Sequence, residues 1–161
     1  MAPTEKVVIF KVNKEEYAIQ VEHVISIEKT SQVTPIPQLP NYVKGIVKVR
    51  EELVPVIDLK NVLYKTDEVI NDVTRFIVVK TDQLQVALLV SDAKELLEIE
   101  SGHIKQVGFI GYEKTAFFSG VIQLTNRLIT LIEPNQLVSS LEGIKEIYEY
   151  MEDRYLNETE V

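Results

Sequence analysis

The chain has 161 residues, a formal net charge of −8, no cysteine, and hydrophobic residues at 45%. These values allow a packed core and exclude a disordered chain, a disulfide framework and a thiolate metal site. An acidic chain with no Lys/Arg block is repelled by phosphate backbones, so neither nucleic acid nor acidic lipid is expected as a partner. The opening "MAPTEKVVIFKVNKEEY" lacks the basic-then-apolar order of a signal peptide. No apolar run approaches the roughly 18 residues of a membrane span, so the expectation is a cytoplasmic protein with no membrane insertion.

Residues 7–21, "VVIFKVNKEEYAIQV", read as two β-rich runs around the polar turn Asn13-Lys14-Glu15-Glu16, a hairpin. Residues 22–29 suit a short helix entering a strand. "TPIPQLP", residues 34–40, has prolines at 35, 37 and 40, which remove amide donors and fix φ. It is an extended connector between strands. The same residues formally match a PxxP ligand, but a packed segment cannot also offer itself to a groove. Strands follow at 45–49 and 53–57, joined near Arg50-Glu51-Glu52, and "LKNVLYK" makes a short helical turn.

The pattern then restarts. Residues 74–100 match residues 5–31 at an offset of 69, so that Val8, Ile9 and Phe10 fall on Ile77, Val78 and Val79, and Ala18 and Ile19 fall on Ala87 and Leu88. After an inserted loop near 101–116 the offset is 75. Gly45 falls on Gly120, Val54 on Ile129, Asp58 on Glu133, and Arg50 on Thr125. A repeat of roughly 70 residues is too long for a solenoid unit. Each copy carries about five short strands at close spacing, which favours a small β-barrel. The expectation is an all-β chain of two barrel lobes, over about 5–65 and 74–140. Continuous apolar strands such as "VALLV" are buried on both faces, as where two lobes share a core. A C-terminal helix over 141–157 is amphipathic through Ile144, Ile147, Tyr148, Met151 and Tyr155, and should cap the barrels before fraying near Asn157.

No catalytic chemistry is visible. His23 and His103 have no helical i, i+4 ligand partner, and no G-x-S-x-G elbow occurs. "GYEKTAF", residues 111–117, lacks the full glycine-rich loop that cradles phosphate. Asp58, Asp82 and Asp92 stand at strand ends or turns, where aspartate normally caps backbone amides. A double barrel without a catalytic, metal or cofactor site points to a protein that binds other proteins.

"TPIPQLPNYVKGIVKVREELVPVIDL", together with "FKVNKEEYAIQVEHVISIEK", resembles the CheW family of bacterial chemotaxis coupling proteins over about residues 7–140. The resemblance covers a proline-bearing connector, a glycine, a strand ending in an arginine turn, and a strand ending in Val-Pro-Val-Ile-Asp-Leu. It implies a single CheW-like domain, residues 1–161, built of two SH3-like five-stranded barrels. It also implies a non-enzymatic adaptor that needs no cofactor, is monomeric when free, and is recruited from the cytoplasm to membrane receptor arrays. The implied partners are the regulatory domain of a CheA-type histidine kinase and the cytoplasmic tips of methyl-accepting chemotaxis receptors. A CheW-like scaffold in a paralogous or non-chemotaxis array is the alternative. By resemblance, receptor contact falls on Val49, Arg50 and Glu51, and kinase contact on Val24, Ser26, Ile27 and Gly45. A second, ring-closing kinase contact falls on Phe109 and Ile110. Val24 and Ile27 suit core packing as well as exposure. Glu51 stands where the family has glycine, and Arg50 could instead pair locally with Glu51 or Glu52.

Overall fold

The computed structural model describes residues 3–106 and 117–159. Phe109 and Ile110 lie outside them. In chain order the first copy of the repeat forms β1 (Thr4–Val12), β2 (Glu15–Gln20), a 3₁₀ turn at Val21–His23, β3 (Val24–Lys29), β4 (Val43–Val49), β5 (Glu52–Asp58) and α1 (Leu59–Tyr64). The second copy forms β6 (Arg75–Lys80), β7 (Gln85–Val90), β8 (Asp92–Glu100), a 3₁₀ turn at Ser101–His103, β9 (Ile104–Lys105), β10 (Phe118–Gln123), β11 (Leu128–Ile132) and α2 (Pro134–Ser140). The helix α3 (Ile144–Thr159) ends the described chain. Even the irregularities repeat. β3 slips register at Ile25 against β6, and β8 slips between Glu95 and Ala93 against β1, at positions 69 residues apart.

The described strands form two sheets, ordered β3-β6-β7-β5-β4 and β8-β1-β2-β11-β10-β9. Neither sheet is built from one segment. The hairpin β1–β2 joins the second copy, through a parallel pairing of Ala18 with Leu131. The hairpin β6–β7 joins the first copy, through the equivalent pairing of Ala87 with Val56. The segments 5–65 and 74–140 therefore each contribute to both sheets, which sets the structure apart from lobes that are continuous in sequence.

Each sheet closes where the chain leaves its third strand. In the first barrel (the β3–β7 sheet) Thr34 bridges to Ile46, and in the second β9 pairs with Ile122 and Val121 of β10. These closures explain the repeated glycine. A Cβ on Gly45 would lie 2.0 Å from the Thr34 carbonyl oxygen, and one on Gly120 would lie 2.9 Å from that of Lys105. Gly45 also has φ +144°, a conformation that L side chains rarely adopt.

Side-chain alternation divides the core in three. Val47, Val54, Phe76, Val78, Ala87 and Leu89 fill the first barrel. Val7, Ile9, Ala18, Ile122 and Ile129 fill the second. The residues between them in sequence, including Val8, Phe10, Ile19, Ile57, Ile77, Leu88 and Val90, pack between the barrels. β6 and β7 are thus buried on both faces, which is why their sequence is almost continuously apolar. The helix α3 adds Ile144, Ile147 and the partly buried Met151 to this shared core, while Tyr148 stands off the stripe and is exposed.

Candidate functional site

The turn between β4 and β5 contains two residues, Arg50 and Glu51, since Val49 pairs directly with Glu52. Both have positive φ, 49° and 71°. Two-residue hairpins favour this geometry because it matches the twist of the strands, yet it suits asparagine and glycine rather than arginine and glutamate. A non-glycine residue there costs on the order of 1 kcal/mol. The hairpin β1–β2 turns the same way at Asn13 and Lys14, with φ 51° and 72°.

Arg50 is largely exposed. Its guanidinium lies 3.8 Å from Glu28 of β3, not beside Glu51 or Glu52. Glu51 is paired instead with Lys48 at 3.6 Å, and its side chain is almost fully in solvent. Barrel closure accounts for the reach from Arg50 to β3. Thr34 and Ile46 are antiparallel partners, so the chain traced back from Thr34 to the end of β3 runs alongside β4 toward the Arg50 turn. Val49 is half-buried and packs against the first barrel's core.

On β3 the sequence-derived contact residues separate. Ile27 is 43% exposed. Val24 is partly buried and packs on the core between the barrels. Ser26 is buried, and its Oγ has no hydrogen-bond partner. Gly45 is buried behind the closure, which accounts for it without a partner protein. Sequence reasoning passed over Ile25, 39% exposed at the bulge, and Glu28, the partner of Arg50. The alternation Ile25-Ser26-Ile27 gave the opposite signal, since the usual rule buries the isoleucines and exposes the serine, whereas Ser26 is the residue that is buried. Nothing local in the sequence pointed to Glu28, because its partner is 22 residues away.

Of the three aspartates, Asp58 is the one whose carboxylate is seen to cap backbone amides. Asp58, fully buried, accepts from the amides of Asn61 at 3.1 Å and Glu68 at 2.9 Å, and Lys44 lies 3.4 Å away. Its counterpart Glu133 caps α2 by accepting from the amide of Gln136 at 2.7 Å. His23 faces Glu133 at 3.6 Å. Lys44 also meets Asp67 at 2.8 Å, and hydrogen bonds from Lys44 and Asn61 hold the Asp67 carboxyl below the usual carboxylate range. Among the described residues no group of three or more histidine, aspartate and glutamate side chains could hold a metal. No described helix is long and apolar enough to cross a membrane.

The first barrel thus carries an exposed arginine on a strained turn, tied to a strand with two exposed isoleucines, on a duplicated all-β scaffold. The model of the CheW-like domain matches residues 6–142. The chain belongs to the CheW family. It is 32% identical to the chemotaxis protein CheW of Bacillus subtilis over 136 residues, 83% of this chain and 86% of that protein. It is 28% identical to the chemotaxis protein CheW of Klebsiella aerogenes over 139 residues, 86% of this chain and 84% of that one. The crystal structure of the scaffolding protein TtCheW from Thermoanaerobacter tengcongensis superposes with a TM-score of 0.77 at 26% identity, covering 89% of this chain and 96% of that one. Family membership and the two-sheet fold agree with the all-β reading of the sequence. All of α3 lies beyond the residues that the CheW-like domain covers.

Proposed function

We propose that this protein is a non-enzymatic cytoplasmic adaptor. It couples the regulatory domain of a CheA-type histidine kinase to the cytoplasmic tips of methyl-accepting chemotaxis receptors, and it is recruited to membrane arrays through those partners. The observation that carries this reading is the pairing, on one barrel of a CheW-family scaffold, of two surfaces of different chemistry. One is the exposed Arg50 turn. The other is the apolar ledge of Ile25 and Ile27, on the strand that also supplies Arg50 with Glu28.

An arginine fork suits carboxylate and carbonyl oxygens on a receptor helix pair. Thr125 occupies the equivalent place in the second copy, so the fold itself does not require arginine there. Exposed isoleucines suit desolvation against a partner barrel. Phe109 and Ile110 remain the proposed second kinase contact. The protein acts as a monomer that gains its neighbours only in the array.

The test is co-sedimentation of the purified protein with a kinase regulatory domain and with a receptor cytoplasmic fragment, separately and together. The proposal requires each binary complex and a ternary one. Binding to neither partner, by a protein that melts cooperatively, rejects it.

A further inference from the structure

The stretch between α1 and β6 connects the two copies and holds three large apolar side chains in solvent: Val69 at 70% exposure, and Ile70 and Val73 at 47% each. A loop normally keeps such residues inside or avoids them. This fold can bury them. After α2, the counterpart of α1, the chain packs Leu141, Ile144 and Ile147 into the core between the barrels, and at the offset of 75 Ile144 is the counterpart of Val69.

The connector is also held firmly in place. At its start the Glu68 amide donates to buried Asp58 at 2.9 Å, and the Glu68 carboxylate accepts from Ser91 at 2.6 Å. At its end Asn71 Oδ1 accepts from the amides of Val73 at 2.8 Å and Thr74 at 3.2 Å. Thr74 is fully buried, and its hydroxyl lies 3.1 Å from that of Thr30, the residue after β3. Anchors at both ends and apolar side chains left outside describe a presenting surface rather than slack chain.

The Thr30–Thr74 contact makes this surface continuous with the β3 ledge. β3 and β6 pair at Lys29 with Arg75 and at Ile27 with Ile77, so the connector arrives at the end of the ladder on which Ile27 stands. A stable heteromeric contact needs roughly 800 Å² from each partner. Two isoleucines at about 40% exposure supply only a small part of that. The three connector residues are the adjoining apolar area.

From this we infer that the connector, through Val69, Ile70 and Val73, is the second half of the kinase-docking face, with Ile25 and Ile27 as the first. The occupant is the kinase regulatory domain, and the inference rests on the kinase reading above. Asp67, Glu68 and Asp72 are the only charged residues from Asp67 to Val73, so this stretch offers no cation to the carboxylate and carbonyl oxygens that Arg50 suits, and receptor tips are the poorer fit.

The experiment measures affinity for the regulatory domain by calorimetry for three forms: wild type, Ile27→Asp, and the triple variant Val69→Ser, Ile70→Ser, Val73→Ser. All three substituted side chains are exposed, so melting temperature and receptor binding should stay as in wild type. The expected result is at least a tenfold loss of kinase affinity in the triple variant. Methyl-labelled wild-type protein should show cross-saturation from the kinase at Val69, Ile70 and Val73. If Ile27→Asp loses binding while the triple variant binds as wild type, the connector inference falls and the kinase reading stands. If wild type does not bind the kinase at all, both fall.

Discussion

Arg50 is where sequence and geometry bear on each other most directly. Its φ of 49° and its exposure both argue that the position is kept for something other than stability. The ion pair with Glu28 is open to solvent and contributes no more than about 1 kcal/mol. Arg50→Ala should therefore leave the melting temperature within about 2 °C, spare kinase binding and lower receptor affinity, and parallel calorimetry against both partners checks this. Arg50→Lys should recover only part, since an ammonium cannot reproduce the fork. Glu51→Gly should raise stability by up to about 1 kcal/mol, because glycine takes φ 71° without strain. The β3 residues make a matched pair of controls. Val24 packs on the shared core, so Val24→Asp should unfold or strongly destabilise the protein by burying a charge. Ile27→Asp should melt as wild type does and lose kinase affinity. Equal melting temperatures for the two variants would contradict the burial described here.

At the level of elements, the closures and the exchanged hairpins are what the repeat preserves. Gly45 and Gly120 do one job with different clearance, so substitution should rank them. Gly45→Ala must move the Thr34 backbone and should cost more than about 3 kcal/mol, whereas Gly120→Ala has 0.9 Å more room and should cost less. Urea denaturation of the two variants gives the order directly. The hairpin β1–β2 is fastened to the second barrel by Arg127, whose guanidinium donates to Glu16 at 2.5 and 3.1 Å and to Glu95 at 2.8 Å. The hydrogen bond from Arg127 holds the Glu16 carboxyl below its ordinary value against the opposing effect of burial. A carboxyl depressed in the folded state stabilises above its unfolded pKa, near 4.5, and loses that contribution as pH falls through the folded value. Arg127→Gln should accordingly lower the melting temperature at pH 7 by about 2–4 °C, a shift that corresponds to roughly 1 kcal/mol. The difference from wild type should shrink as pH falls below about 4.5. A difference that is constant from pH 7 to pH 3 would mean that the arginine acts by packing alone.

At the scale of the whole molecule, the sequence disclosed the duplication, most of the strands and the helices α1 and α3, but not which hairpin completes which barrel. The reason is the repeat itself. β2 and β7 carry equivalent patterns, as do β5 and β11, so pairing Ala87 with Val56 and pairing Ala18 with Val56 look alike in one dimension. Burial on both faces showed that β7 lies between two cores without showing whose sheet it completes. The Arg50 turn was legible because an arginine between two strands is local information. Glu28, the connector surface and the closure at Thr34 were not, because each depends on chain returning from a distance. The exchange has a consequence that two continuous lobes would not. Residues 1–65 alone lack β6 and β7, so β3 and β5 lose their partners and the apolar faces of the first barrel stay open. Residues 66–161 alone lack β1 and β2, which separates β8 from β11. Neither piece should show a cooperative melt or dispersed amide resonances by itself. Mixed at equal concentration, the two should assemble into a complex with the spectrum of the intact chain, since each supplies the hairpin that the other needs. The break at 65 separates Lys65 from the connector, so the complex should melt below the intact protein, and its melting point should rise with concentration. If residues 1–65 fold alone into a cooperative domain, the exchange of hairpins is wrong and each copy of the repeat closes on itself.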